Sequence, residues 1–230
     1  MIFKNNLRMV VDTKIGNHFY EGVIDALRKN KLASKIFMVS GGGEAFYLSI
    51  NLFSKRYYQS EEEIYKSVSN TVPETDPFYF VCLSENSSKT KITSPSYFVL
   101  NGKENNYKVK LLEASKKDKK DAITINGNLY YNGKYTDVFP VTPLLNDFQP
   151  FIGLFIIKKE NYELAENRLS VIRSKNIIIV QENNDYDEGY TACEETINKF
   201  GLTKIKNGDF SKLYESLPKN NTIYCFNEMK

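Results

Sequence analysis

The sequence predicts an α/β domain built on a mostly parallel sheet, and three observations predict it. Strand-like and helix-like segments alternate from residue 35 to the end of the chain, the pattern of successive βαβ units. The apolar runs Lys35–Val39 (KIFMV), Phe78–Leu83 (FYFVCL) and Asn176–Val180 (NIIIV) are short and lack alternation, as do strands covered on both faces. The cluster Ser40-Gly41-Gly42-Gly43 follows the first of these runs and opens a helical pattern, where a helix N-terminus offers free N–H groups.

The elements follow in order. Ile2–Lys4 and Leu7–Asp12 are strand-like and flank Asn5-Asn6, a pair tolerant of positive φ, so a small N-terminal β-hairpin is expected. Asn17 stands where it can cap a helix running to about Asn30, with Phe19, Val23, Ile24 and Leu27 at helical spacing. Residues 1–30 then form a hairpin and helix, and residues 31–230 the main domain. After the glycines, Glu44–Tyr58 returns to helical spacing through Ala45, Leu48, Leu52 and Phe53, and Ser60 with Glu63 forms a capping box. Residues 86–122 are polar and lysine-rich, with strand-like pieces at Tyr97–Leu100 and Tyr107–Leu112. Asn126-Gly127 and Asn132-Gly133 bracket Asn128–Tyr131 and predict a β-meander insertion.

Order returns with a strand at Tyr135–Val141, an apolar run at Phe151–Ile157 and a helix over Asn161–Ser174. Asp185–Phe200 is an acidic-start helix ended by Gly201, and Leu202–Ile205 and Thr222–Phe226 are the last strands. The strands at 136–141 and 177–181 are expected to lie parallel to the one entering the glycine turn.

Charge and composition exclude several functions. Among 230 residues, 31 Lys and Arg stand against 28 Asp and Glu; a chain built chiefly to hold nucleic acid carries a clearer basic excess. The run Lys116–Lys120 reads as a solvated loop. No apolar run approaches the ~20 residues of a membrane span, and residues 1–6 lack a signal-peptide core. Cys82, Cys193 and Cys225 are scattered, giving neither a disulfide framework nor a zinc spacing. His18 is the only histidine, so any catalytic triad would rest on it alone; it reads as a surface or helix-start residue. The chain is expected to be cytoplasmic, reduced and free of metal.

One set of segments carries a resemblance. Lys35–Glu44 (KIFMVSGGGE) is similar to the nucleotide-loop motif of spermidine synthases, a strand ending in Gly-Gly-Gly-Asp/Glu. Leu7–Asp12 resembles that family's L-x-L-D-G strand, His18–Glu21 its F-x-Y-H-E helix start, and Lys134–Val138 its Y-D-V-I strand. Leu154-Phe155, Asn161–Leu164 and Ile177–Glu182 resemble L-F…F-Y-x-x…G-I-x-V-V-Q. The match covers most of the chain except residues 56–106.

The resemblance implies a class I S-adenosylmethionine-type, Rossmann-like fold and aminopropyl transfer from decarboxylated S-adenosylmethionine to a diamine. It assigns donor binding to Gly41, Gly42, Gly43, Glu44 and Glu85, the acids facing ribose hydroxyls. It assigns substrate binding to Tyr20 and Gln181. A pocket filled by Phe46 or Tyr47 would count against a ligand over the glycines. The catalytic signature departs from the family: D-x-x-D-P reads Thr142-Pro143-Leu144-Leu145-Asn146, leaving Asp147 as the nearest acid. A dicationic amine needs carboxylates to hold it and a base to deprotonate it.

The expected function is therefore a spermidine-synthase-like protein without turnover. It would serve as a non-catalytic partner or scaffold, docking a protein or ribonucleoprotein assembly through residues 86–135. A bound nucleoside is compatible with that role. An active divergent aminopropyl- or methyltransferase using S-adenosylmethionine or its decarboxylated form is the alternative. An unrelated α/β binding protein is the third.

Overall fold

A computed structural model describes residues 7–52, 60, 62–63, 78–100, 105–146, 149–217 and 224–225. In chain order the strands and α-helices begin β1 (Leu7–Val11), α1 (Asn17–Lys29), β2 (Ile36–Gly41), β3 (Phe78–Asn86), β4 (Thr93–Val99) and α2 (Asn105–Lys116). They continue β5 (Ile123–Ile125), β6 (Asn128–Asn132), β7 (Ile152–Lys158), α3 (Tyr162–Leu169) and β8 (Lys175–Gln181). The last are α4 (Tyr186–Phe200), α5 (Phe210–Ser216) and β9 (Tyr224–Cys225).

The strands form one mixed sheet whose parallel run is ordered β3-β2-β1-β7-β8-β9. That order is compatible with a doubly wound, Rossmann-like arrangement. β4 lies antiparallel along Phe80–Asn86 of β3. A strand has two edges, and the other is shared: β2 pairs with Phe78–Val81 and β6 takes over at Leu83–Asn86. The β5–β6 hairpin turns at Asn126-Gly127, with φ of 51° and 83°, the positive pair that a two-residue type I′ turn requires.

Both faces of the parallel strands are apolar, in alternating register. Met9, Val11, Leu154, Ile156 and Ile179 join a core that includes Phe19, Val23 and Leu27 of α1 and Ile197 of α4. Val10, Phe155, Ile157, Ile178 and Val180 face the opposite core with Ala165 and Leu169 of α3. Continuous burial of Leu7–Val11 and Lys175–Gln181 follows from this double cover.

Several expectations are corrected. β1 is no hairpin arm: β2 and β7 take both its edges in parallel; the other expected arm, Ile2–Lys4, lies outside the described residues. Tyr107–Leu112 is helical within α2, not a strand. Residues 136–141 form no strand; the Val138 carbonyl accepts from Thr13 N–H at 2.9 Å, and the Pro140 carbonyl from Ser40 Oγ at 2.7 Å. These bonds lead the segment across the strand ends instead of into the sheet. Leu202–Asn207 is a 3₁₀ turn. The segment after the glycines is 3₁₀ over Phe46–Leu52, and residues 53–59 lie outside the described residues. Asn17 is not the cap of α1; Gly16 stands there.

Candidate functional site

The chain leaves β1 for α1 on one face of the sheet and leaves β7 for α3 on the other. The loops at the C-terminal ends of these adjacent parallel strands therefore diverge, and a crevice opens between them, the usual ligand position in open α/β sheets. A cleft of about 440 Å³ lies there. The loop after β1 contributes Thr13, Lys14 and Ile15, and the end of β7 contributes Lys158 and Glu160. Glu44 closes the β2 side, and Asn132 and Lys134 enter from the end of β6.

Asp12 braces this crossing from below. Its carboxylate accepts from the Lys14 N–H at 2.8 Å, the Lys158 N–H at 3.1 Å and Asn161 Nδ2 at 2.7 Å. One side chain thus ties the β1 loop to the β7 loop. Burial raises its pKa above the usual aspartate value, while the three hydrogen bonds and Lys14 oppose that shift.

The charges above Asp12 are wet and paired. Glu160 accepts from Lys14 Nζ at 3.1 Å through Oε1, and its Oε2 lies 3.3 Å from Lys158 Nζ. The hydrogen bonds from Lys14 and then Lys158 hold its carboxyl below the ordinary glutamate value. Lys134 Nζ lies 3.0 Å from Asp118. Burial works against the Lys134 charge, but the Asp118 hydrogen bond and nearby acidic groups, Glu44 among them, outweigh it and raise its pKa.

The glycine cluster is packed by protein. A Cβ on Gly42 would fall 2.5 Å from the Cys82 carbonyl oxygen. One on Gly43, at φ 81°, would fall 1.9 Å from that of Thr13, so these glycines let β2 turn against its neighbours. The Phe46 ring packs against Gly41, within 2.8 Å of where a Cβ would stand, and Phe46 and Tyr47 are both buried. Only Glu44 of this group reaches the cleft.

The other expected residues are dispersed. The Glu85 carboxylate accepts from Asn128 Nδ2 at 2.7 Å and from Ser96 Oγ, joining β3 to its two antiparallel neighbours. Tyr20 is fully buried, with its hydroxyl 2.8 Å from Ser49 Oγ, and burial pushes its pKa up. Neither residue lines the cleft. Gln181 is buried and accepts from the Gly16 N–H at 2.9 Å. Beside it, Asn184 accepts from the Phe19 N–H at 3.2 Å, so the chain after β8 caps α1 in place of a local side chain. Asp147 lies outside the described residues. His18 is exposed, 3.5 Å from Glu21.

Sequence reasoning missed Lys14, Lys134, Lys158 and Glu160. A signal existed in Met9-Val-Val-Asp-Thr-Lys-Ile-Gly16: a buried strand running through a short loop into a helix is the first βα unit of such a sheet. Reading Leu7–Asp12 as a hairpin arm hid it.

A second cleft, about 360 Å³, includes Tyr97, Asp137, Thr142 and Arg168. Asp137 is buried and accepts from Arg168, from the Tyr97 hydroxyl and from the Phe139 N–H at 3.2 Å. Burial, and then the Asp137 hydrogen bond, raise the Tyr97 pKa well above the usual phenol value.

Among the described residues no group of His, Cys, Asp and Glu is arranged to hold a metal ion, and no helix is long and apolar enough to cross a membrane. No protein-family model matches this chain, and no curated protein matches it.

Proposed function

We propose that this chain binds a polar small molecule of nucleoside or nucleotide size in the cleft at the C-terminal ends of β1 and β7. One observation carries the reading: the cleft coincides with the switch point of the β3-β2-β1-β7-β8-β9 parallel run. Its volume falls within the ~300–1,000 Å³ range of small-molecule sites. Polar and charged side chains dominate the walls, so hydrogen bonds and charge supply more of the affinity than apolar burial does.

Glu44 favours a second reading, a spermidine-synthase-like binder of an S-adenosyl donor without turnover. Its carboxylate is on the cleft wall and can accept from two ribose hydroxyls. Transfer to a diamine draws no support from the same wall, because three lysines against two glutamates leave it net positive toward a dication. The glycine strand is also second in the run, whereas the glycine turn of a Rossmann-type site follows the first strand.

Calorimetric titration of the full chain with ATP, UDP, S-adenosylmethionine, its decarboxylated form and methylthioadenosine tests both readings. Binding of at least one, abolished by the blocking change Glu44→Trp, is the expected result. Heat from the three S-adenosyl-type compounds alone would favour the second reading. Silence with all five, or heat that Glu44→Trp leaves unchanged, overturns the proposal.

A further inference from the structure

We infer that the ligand carries a phosphate or diphosphate, and that Glu160 occupies the phosphate position in the unliganded protein. The inference rests on the cleft being a binding site and adds the chemical class of its ligand. Lys14 belongs to the loop after β1 and Lys158 to the end of β7, the two walls of the switch point. They converge on one carboxylate, each on a different oxygen, at 3.1 and 3.3 Å. Two oxygens of one phosphate present a similar pair of acceptors, and lysine serves phosphates as a compact point charge.

Exposure makes the arrangement exchangeable. The side chains of Lys14, Lys158 and Glu160 are 37%, 38% and 49% exposed, so solvent screens both ion pairs. The backbone beneath is anchored, because Asn161 holds Asp12 at 2.7 Å; Glu160 can leave by side-chain rotation alone. With Glu160 withdrawn, three lysines and a single glutamate line the cleft.

The class of anion follows from what the exchange gains. A ligand carboxylate would replace one monovalent carboxylate by another, with no new charge and no new oxygen. A phosphate brings a further negative charge and a third oxygen, and Lys134, whose ammonium lies 3.0 Å from Asp118, lines the same cleft from the loop after β6. The resident glutamate keeps Lys14 and Lys158 gathered and sets a threshold that a monoanion does not pass.

Titration of the intact chain with inorganic pyrophosphate, with acetate as the monoanionic probe, tests this. Pyrophosphate is expected to bind with marked salt dependence and acetate to give no heat. Glu160→Gln should tighten pyrophosphate roughly threefold to tenfold, the scale of two exposed ion pairs. Lys14→Gln and Lys158→Gln should each weaken it roughly tenfold. An unchanged or weaker affinity in Glu160→Gln, with the thermal midpoint preserved, overturns the placeholder role. Acetate binding as tightly as pyrophosphate overturns the phosphate class. Pyrophosphate heat that is absent, or indifferent to both lysine changes, overturns the inference. Nucleoside binding still sensitive to Glu44→Trp would then leave the cleft reading standing, and its loss would remove both.

Discussion

The segment Asn132–Thr142 contributes to both clefts, and each holds a carboxylate between cationic or hydroxyl donors. In the switch-point cleft, Glu160 is half exposed and its two lysines are about as wet. In the other, Asp137 is 5% exposed, beneath Arg168, Tyr97 and the Phe139 N–H. The chemistry is alike and the surroundings differ. Water can replace either lysine at Glu160, so that pairing is an exchangeable contact. Nothing replaces Arg168 at Asp137 without leaving a charge in a low-dielectric interior, so that pairing is a strut.

The largest expected effect would come from removing the strut. Arg168→Met should cost about 3 kcal/mol of unfolding free energy, because it strips a charge-assisted bond from a buried carboxylate. Glu160→Gln should stay within about 0.5 kcal/mol, as exposed pairs usually do. Urea unfolding of the two variants side by side checks this; equal losses would break the comparison.

Asp12 sharpens it from within the switch point, as a buried carboxylate beneath an exposed one. Asp12→Asn turns one acceptor into a donor facing an N–H group and should cost about 2 kcal/mol. Ligand affinity should fall with it, since the β1 and β7 loops lose their common anchor. A stability loss with unchanged affinity would mean that the cleft does not depend on that anchor.

Gln181→Ala comes next, at about 1 kcal/mol, for leaving the half-buried Gly16 N–H without its acceptor. Hydrogen exchange should speed up at Gly16 and the first turn of α1. Uniform protection there would separate Gln181 from loop positioning.

Proton linkage gives the smallest signal, and its sign differs between the two acids. Carboxyl carbon shifts followed against pH should show Glu160 titrating below 4.5, moving up toward it in Lys158→Gln. Its pairing stabilises the fold above the unfolded value and fades as pH falls through the lowered one. Asp12 should titrate above 3.8. The stability that its raised pKa contributes is present below 3.8 and is lost as pH rises through the folded value. Matching directions for the two would contradict the difference in burial.

Parts of the fold were legible because short-range rules govern them. Asp185 accepts from the Glu188 N–H at 2.9 Å and Gly201 takes φ 61°, as a capped start and a glycine stop require. Asn126-Gly127 announced its own turn. The Ser60–Glu63 pairing appears as a 3.3 Å bond from the Glu63 N–H to Ser60 Oγ. Failures came where two patterns fit one segment. Tyr107, Val109 and Leu111 alternate as a strand would, while Tyr107, Leu111 and Ala114 also follow helical spacing, and burial of Leu111, Leu112, Ala114 and Ser115 decided for the helix. The glycines failed differently: their need for space was real, but Cys82 and Thr13 fill it.

By itself the sequence determined the α/β class, the buried strands β2, β3 and β8 and the capped ends of α4, since periodicity and capping act within a few residues. It also marked Glu44, the one expected donor-side residue on the cleft wall. Only the tertiary structure decided that β1 is central, that Gln181 and Asn184 fasten the start of α1, and that Lys14 meets Glu160 across 146 positions of chain. The physical reason is strand order. Which loops meet at a switch point depends on how parallel strands sort across the whole sheet, and no local pattern encodes that sorting.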